Sequence, residues 1–134
     1  MSAAASLQKA VFAALTGDAA LVGLLGGQPR IHDHTPTNVA FPYITFGRTS
    51  GFDGDTGTEK GQEHLFTLHI WSNAKGKAES LALMQAVQAR LHDAPLTLDG
   101  YALVNLRQEF AESRFDEDLA VYHGLVRFRA VTEG

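Results

Sequence analysis

The sequence contains no cysteine. That absence excludes disulfide frameworks, thiolate zinc sites, iron–sulfur clusters and cysteine nucleophiles together, and it fits a reducing compartment. Charge is sparse as well: Asp, Glu, Lys and Arg make up 19% of the chain, against about 25% in a typical soluble domain. With 45% hydrophobic residues, the composition argues against intrinsic disorder. The 13 glycines and 4 prolines follow no period, which excludes collagen-like and proline-rich designs. No apolar run approaches the ~18 residues needed to span a bilayer. The alanine-rich N-terminus lacks a basic n-region and an uninterrupted h-region, so it reads as a helix and not as a signal peptide.

What is present points to one core. A chain of 134 residues suits a single domain, residues 1–134, and buries roughly two-thirds of its unfolded surface without metal or disulfide. The 15 acidic and 11 basic residues give a net charge of −4, which argues against a nucleic-acid binder of the basic-patch kind. The acidity lies in residues 51–134, whereas residues 1–50 are slightly basic.

Periodicity then divides the chain. Ser6 is a candidate cap for a helix to Leu15, ended by Gly17, and Asp18 for a short helix through Leu25. Arg30–Asp33 reads as a short strand and Pro42–Phe46 as an alternating one. Gly47–Gly61, with five glycines, reads as a long loop that is functional or mobile. Leu65–Trp71 is the clearest strand, with Phe66, Leu68 and Ile70 on one face and Leu65, Thr67, His69 and Trp71 on the other. Ser72 and Asn73 are candidate caps for a long helix from about Lys75 to His92, striped by Leu81, Met84, Val87 and Leu91. Asp99–Gly100 predicts a type I′ hairpin between Leu96–Leu98 and Tyr101–Phe110. A final strand, Leu119–Val131, puts Tyr122, Val126, Phe128 and Ala130 on the core side and Leu125, Arg127 and Arg129 opposite. Asp116–Glu117–Asp118 forms the tip before it. The expectation is an α+β fold, with an antiparallel β-sheet of about four to five strands packed by the long helix and the short N-terminal helix pair.

Chemistry is hard to find in this pattern. His32 and His34 share a strand face, a spacing metal sites use, but no third ligand follows, and two histidines beside Pro36 is the plainer reading. His64 and His69 fall on opposite faces. The Asp53–Glu59 run fails as an EF-hand because Gly57 replaces a ligand and His64 stands in place of the bidentate Glu. The Gly47–Gly61 glycines lack a Gly-Lys-Ser/Thr phosphate loop. Ser72 and Ser80 sit in no nucleophile elbow. The aromatic set Phe41, Tyr43, Phe46, Phe66, Trp71 and Phe128 reads as core, with Trp71 at a strand end available to an interface. No catalytic residue, cofactor or metal is expected.

Five segments carry a resemblance. They are the N-terminal helix pair with Asp18–Ala19–Ala20–Leu21, the run Phe41-Pro42-Tyr43-Ile44-Thr45-Phe46-Gly47, and His69-Ile70-Trp71-Ser72 leading to a helix that begins Lys75-Gly76-Lys77-Ala78-Glu79. The end of that helix, Leu91-His92, and the strand Tyr122-His123-Gly124-Leu125-Val126-Arg127-Phe128-Arg129-Ala130 complete the set. In this order and spacing the chain resembles the tail-completion, or tail-terminator, proteins of long-tailed phages and gene transfer agents. The resemblance implies a structural virion protein with no active site, placed at the head–tail junction of a particle made in the bacterial cytoplasm. It implies a homohexameric ring at the head-proximal end of the tail tube, which stops tube polymerisation and meets the tail tube protein and the head–tail connector protein. DNA would pass through the lumen without specific binding. Six copies at −4 suit a conduit that repels phosphate. No membrane is involved.

A closed ring needs two unlike patches on each subunit. The candidate interface pairs Phe52, Asp53, Asp55 and Glu59 with Leu125, Arg127 and Arg129, and Phe52 or Trp71 supplies the apolar anchor. The alternatives are a head-side connector, a tail tube subunit, or a small His-dependent metal- or ligand-binding domain.

Overall fold

The computed structural model describes residues 1–53 and 61–134. Helix α1, Ala3–Thr16, is capped by Ser2, whose hydroxyl accepts the Ala5 N–H at 3.1 Å. Ser6, expected as the cap, is instead buried one turn in and donates to the Asp99 carbonyl at 2.8 Å. The serine preceding an alanine run wins the cap because the whole run is helix-favouring. Leu7, Val11, Ala14 and Leu15 form the buried stripe of α1. Helix α2, Ala19–Leu24, starts at the expected Asp18, whose carboxylate accepts the Leu21 N–H at 2.9 Å.

The strands are β1 (Ile31–His32), β2 (Tyr43–Asp53), β3 (Gly61–Ser72), β4 (Ala102–Asp116) and β5 (Val121–Glu133), with helix α3 (Ala78–Leu91) between β3 and β4. They form one five-stranded sheet in the order β1-β2-β3-β5-β4. Every pair is antiparallel except β1–β2, which is parallel. The α+β expectation holds, and the sheet is mixed at its short first strand.

Four local expectations are corrected. Gly47–Gly61 is not one long loop: β2 continues to Asp53 and β3 begins at Gly61. The remainder of that stretch, with Asp55 and Glu59, lies outside the described residues. The glycines misled because in a strand they mark close approach as often as a turn. A Cβ on Gly47 would stand 2.3 Å from the His69 ring, so this glycine makes room for an imidazole across the ladder. Helix α3 begins at Ala78 and not Lys75, with Lys77 at its cap position and no capping side chain. Ser72 turns the chain before it, accepting the Ala74 N–H and donating to Glu79 at 2.6 Å. At Asp99–Gly100 only Gly100 has a positive φ, of 80°, so the turn is not type I′. A single bridge, Leu98↔Tyr101, replaces the expected hairpin, and the long partner of β4 is β5.

The last strand behaves as its alternation requires. Val126, Phe128 and Ala130 are fully buried, whereas Arg127 and Arg129 are exposed. From β3, Phe66, Leu68 and Ile70 join them, and all three helices pack on that side through Val11, Leu15, Leu21, Leu83, Val87 and Leu91. Phe128 stacks on Phe66 at 5.4 Å. Among the described residues no helix covers the other side, so Tyr43, His69 and Trp71 line an open face. Of the six aromatics read as core, Phe66 and Phe128 are buried in it and Phe46 packs against it, whereas Phe41, Tyr43 and Trp71 are not part of it.

Phe128→Ala is expected to lower stability by about 3–5 kcal/mol, the usual cost of emptying a buried aromatic site. Chemical denaturation of the variant with an unchanged midpoint would contradict the assigned face.

Candidate functional site

The open face is built by parity. On β3, residues 63, 65, 67, 69 and 71 point to it, and on β5 residues 123, 125, 127 and 129, because Trp71 pairs with His123, His69 with Leu125, Thr67 with Arg127 and Leu65 with Arg129. From β2, Tyr43 lies opposite Trp71 and Phe52 opposite Glu63. The structure thus brings Phe52, Trp71, Leu125, Arg127 and Arg129 onto one face of one subunit. Asp53, one residue on, alternates to the helix side. Phe52 is 48% exposed.

The two arginines find carboxylates within the chain. Arg127 donates from Nε to Glu109 at 3.0 Å and lies over the Phe110 ring at 5.1 Å. Arg129 donates to Glu63, and this guanidinium holds the Glu63 carboxyl below the usual carboxylate range. Glu109 comes from β4, the strand beside β5. Glu63 comes from β3 and becomes visible only with the register. Both pairs are solvent-exposed, so they orient the arginines more than they stabilise the fold.

A ring stack forms the centre of the face. Trp71 and His123 lie parallel with centroids 4.1 Å apart and planes within 3°. His123 meets His69 through a 2.7 Å contact between Nε2 and Nδ1. Tyr43 flanks Trp71 at 6.2 Å, and Trp71 Nε1 donates to Thr45 Oγ1 at 3.0 Å. Burial pushes the His123 imidazole down to about 4, with further depression from the neighbouring His69 and Arg114 and a small opposing pull from Asp116. Burial lowers His69 as well. Two histidines 2.7 Å apart cannot both be charged at low cost, and one proton between them satisfies both nitrogens. Sequence reasoning missed this pair because His69 was weighed only against His64. The missing signal was the β3–β5 register, which no spacing within one strand supplies.

The remaining histidines are structural. His64, buried on the helix side, bonds Thr132 at 3.0 Å. His92 accepts the Gln108 N–H at 2.9 Å. His32 is half-buried in β1 with its ring 6.3 Å from Tyr43, and His34 is exposed. Among the described residues no group of three or more His, Asp or Glu is placed to hold a metal ion.

A sheet covered on one side and open on the other, with its chemistry spent on internal pairing, is the anatomy of a structural protein. The family model described as tail completion protein gp17 matches residues 9–133, and the chain belongs to that family. Among solved structures it is similar to a chain of the virion of a native gene transfer agent particle. That likeness has 32% identity and a TM-score of 0.89 and covers 100% of both chains. It is also similar in fold to the gp17 protein of bacteriophage SPP1, at 22% identity and a TM-score of 0.63, over 96% of this chain and 89% of that one. No curated protein matches the chain.

Two outcomes test the site. Gly47→Ala forces the His69 ring aside and is expected to cost about 1–3 kcal/mol as an overpacking change, with altered fluorescence from Trp71, the sole tryptophan. Unchanged emission and stability would mean the stack is not locked from below. The depressed histidines also fix a pH response. The unfolded chain takes up these protons first, so their contribution is complete above about pH 6.5 and, for His123, is lost as pH falls toward about 4. His123→Gln should flatten that slope in denaturation series, and an unaltered slope would remove His123 as its source.

Proposed function

We propose that this chain, acting as a single domain over residues 1–134, closes a tail tube as a homohexameric ring at the head–tail junction. In this reading the ring stops tube polymerisation, contacts the tail tube protein on one side and the head–tail connector on the other, and lets DNA pass without specific binding. The observation that carries it is the family match over residues 9–133, joined to the full-length likeness to a chain of a gene transfer agent virion. Net negative charge supports it, because an acidic conduit repels the phosphate backbone. The particle would be assembled in a bacterial cytoplasm, at no membrane.

The open sheet face supports the same reading. Phe52, Trp71 and Leu125 serve as apolar anchors of the subunit interface on that face, and Arg127 and Arg129 as its charged rim. Asp53, on the helix side, joins Asp55 and Glu59 as candidates for the acidic patch that a neighbouring subunit presents. Because Arg127 and Arg129 already hold Glu109 and Glu63, any charge pairing across the interface extends these pairs into a network instead of starting from free cations.

Removing the gene from the producing cell and imaging the particles tests the proposal. The expected outcome is tails of unregulated length and heads that remain unjoined. Joined particles with tails of normal length would overturn it.

A further inference from the structure

The two ends of the sheet are unlike, and each is half open. At one end β4 has, among the described residues, β5 as its only strand partner. Its first half is covered from outside, since the Leu106 carbonyl accepts the Asp93 N–H at 2.7 Å and the Gln108 N–H is taken by His92 at 2.9 Å. Beyond the irregularity between Gln108 and Phe110 that cover stops. From Phe110 to Phe115 the strand is exposed apart from half-buried Ser113; it carries no proline or lysine, and its two charged residues, Glu112 and Arg114, both lie on the open side. Phe110 and Phe115 are 39% and 46% exposed.

At the other end β1 pairs only with Ile44 and Thr45, so the outer edge of β2 from Phe46 to Asp53 has no strand beside it among the described residues. Next to that edge, on the helix side, α1 and β2 leave a largely apolar groove lined by Ala4, Ala5, Phe12 and Phe46, and also by Lys9 and Asp33. Phe115 projects to the helix side of its own edge, opposite Tyr122. On the open side, β2 offers Arg48 and β4 offers Glu112, and among the described residues neither has an ion-pair partner.

We infer that the open half of the β4 edge in one copy adds as a strand to the β2 edge of a second copy, so that the sheet continues from subunit to subunit. The inference rests on the ring reading for its closure, and it adds a sheet-edge contact to the open-face residues that reading assigns to the interface. Strand direction agrees with it. β4 runs antiparallel to β2 within the chain, through β5 and β3. A rotation about an axis along the strands preserves direction, so β4 meets the next β2 as an antiparallel neighbour. The contact is heterologous, as a cyclic assembly requires. Main-chain hydrogen bonds supply the attraction, Phe115 entering the groove beside α1 supplies an apolar anchor, and Arg48 against Glu112 fixes the sense.

The absence of cysteine makes the test clean. Arg48→Cys and Glu112→Cys are prepared singly and together, oxidised both as purified protein and in producing cells, and resolved on non-reducing gels, while light scattering gives the mass of the wild type. The expected result is a shift of the monomer band to a covalent ladder for the double variant and to a dimer for the mixed single variants, with each single variant alone unshifted. Cross-linking by Glu112→Cys alone, as strong as in the mixture, would overturn the inference in favour of a symmetric β4–β4 contact. A wild type that self-associates while the double variant gives no ladder would overturn the edge contact and leave the ring reading standing. A monomer at every concentration, with no ladder in the cell either, would overturn both.

Discussion

The strict alternation of β5 is the constraint on which the rest of the molecule depends. Gly124, Val126, Phe128 and Ala130 must face the helices, and the strand has partners on both sides, β3 and β4. A slip of one residue would bury two arginines and expose Phe128, an outcome no neighbouring interaction could offset. Once β5 is set, the register of β3 follows, and with it the positions of His69 and Trp71. Glycine at 124 is part of the same constraint. A Cβ there would come within 2.8 Å of Met84 and 3.3 Å of Ile70, so α3 approaches the sheet at the point where β5 has no side chain.

Legibility in the sequence followed the strength of the periodic signal. The β3 and β5 faces, the Asp18 cap and the general α+β order were readable because each rests on one segment's own pattern. Boundaries failed where small or polar residues could serve two ends. Ser6 was read as the α1 cap although Ser2 holds that position, and the glycines of β2 looked like a loop although Gly47 lies within β2, at its register irregularity, and makes room for His69. The family was readable because its segments recur in order across the whole chain. The site was readable only in part. Alternation placed Leu125, Arg127 and Arg129 on one face, but the His69–His123 pair and the Glu63–Arg129 pair are products of strand pairing, and no single segment contains that information.

Electrostatics on the open face points away from ligand chemistry. Both histidines are held neutral, chiefly by burial. Each arginine at the lower end of the face is matched by a carboxylate from an adjacent strand. Where its charges are so paired the face carries little desolvation cost when another surface covers it, whereas Arg48 and Glu112 on the same side have no ion-pair partner among the described residues. An active site shows the opposite arrangement, with charge left poised for a substrate.

The distribution of edge protection leads to the same conclusion by another route. A free strand edge is a liability for any protein, and this chain spends its His92–Asp93 corner on covering only part of β4. Beyond Gln108 there is no lysine or proline, and the charges of Glu112 and Arg114 lie on the open side and not inward. The chain places Phe110 and Phe115 on either side of them, and at the opposite end of the sheet it leaves β2 open beside a largely apolar groove. Two unlike half-open edges on one sheet suit head-to-tail joining, and that is the contact by which a ring of the proposed kind would close.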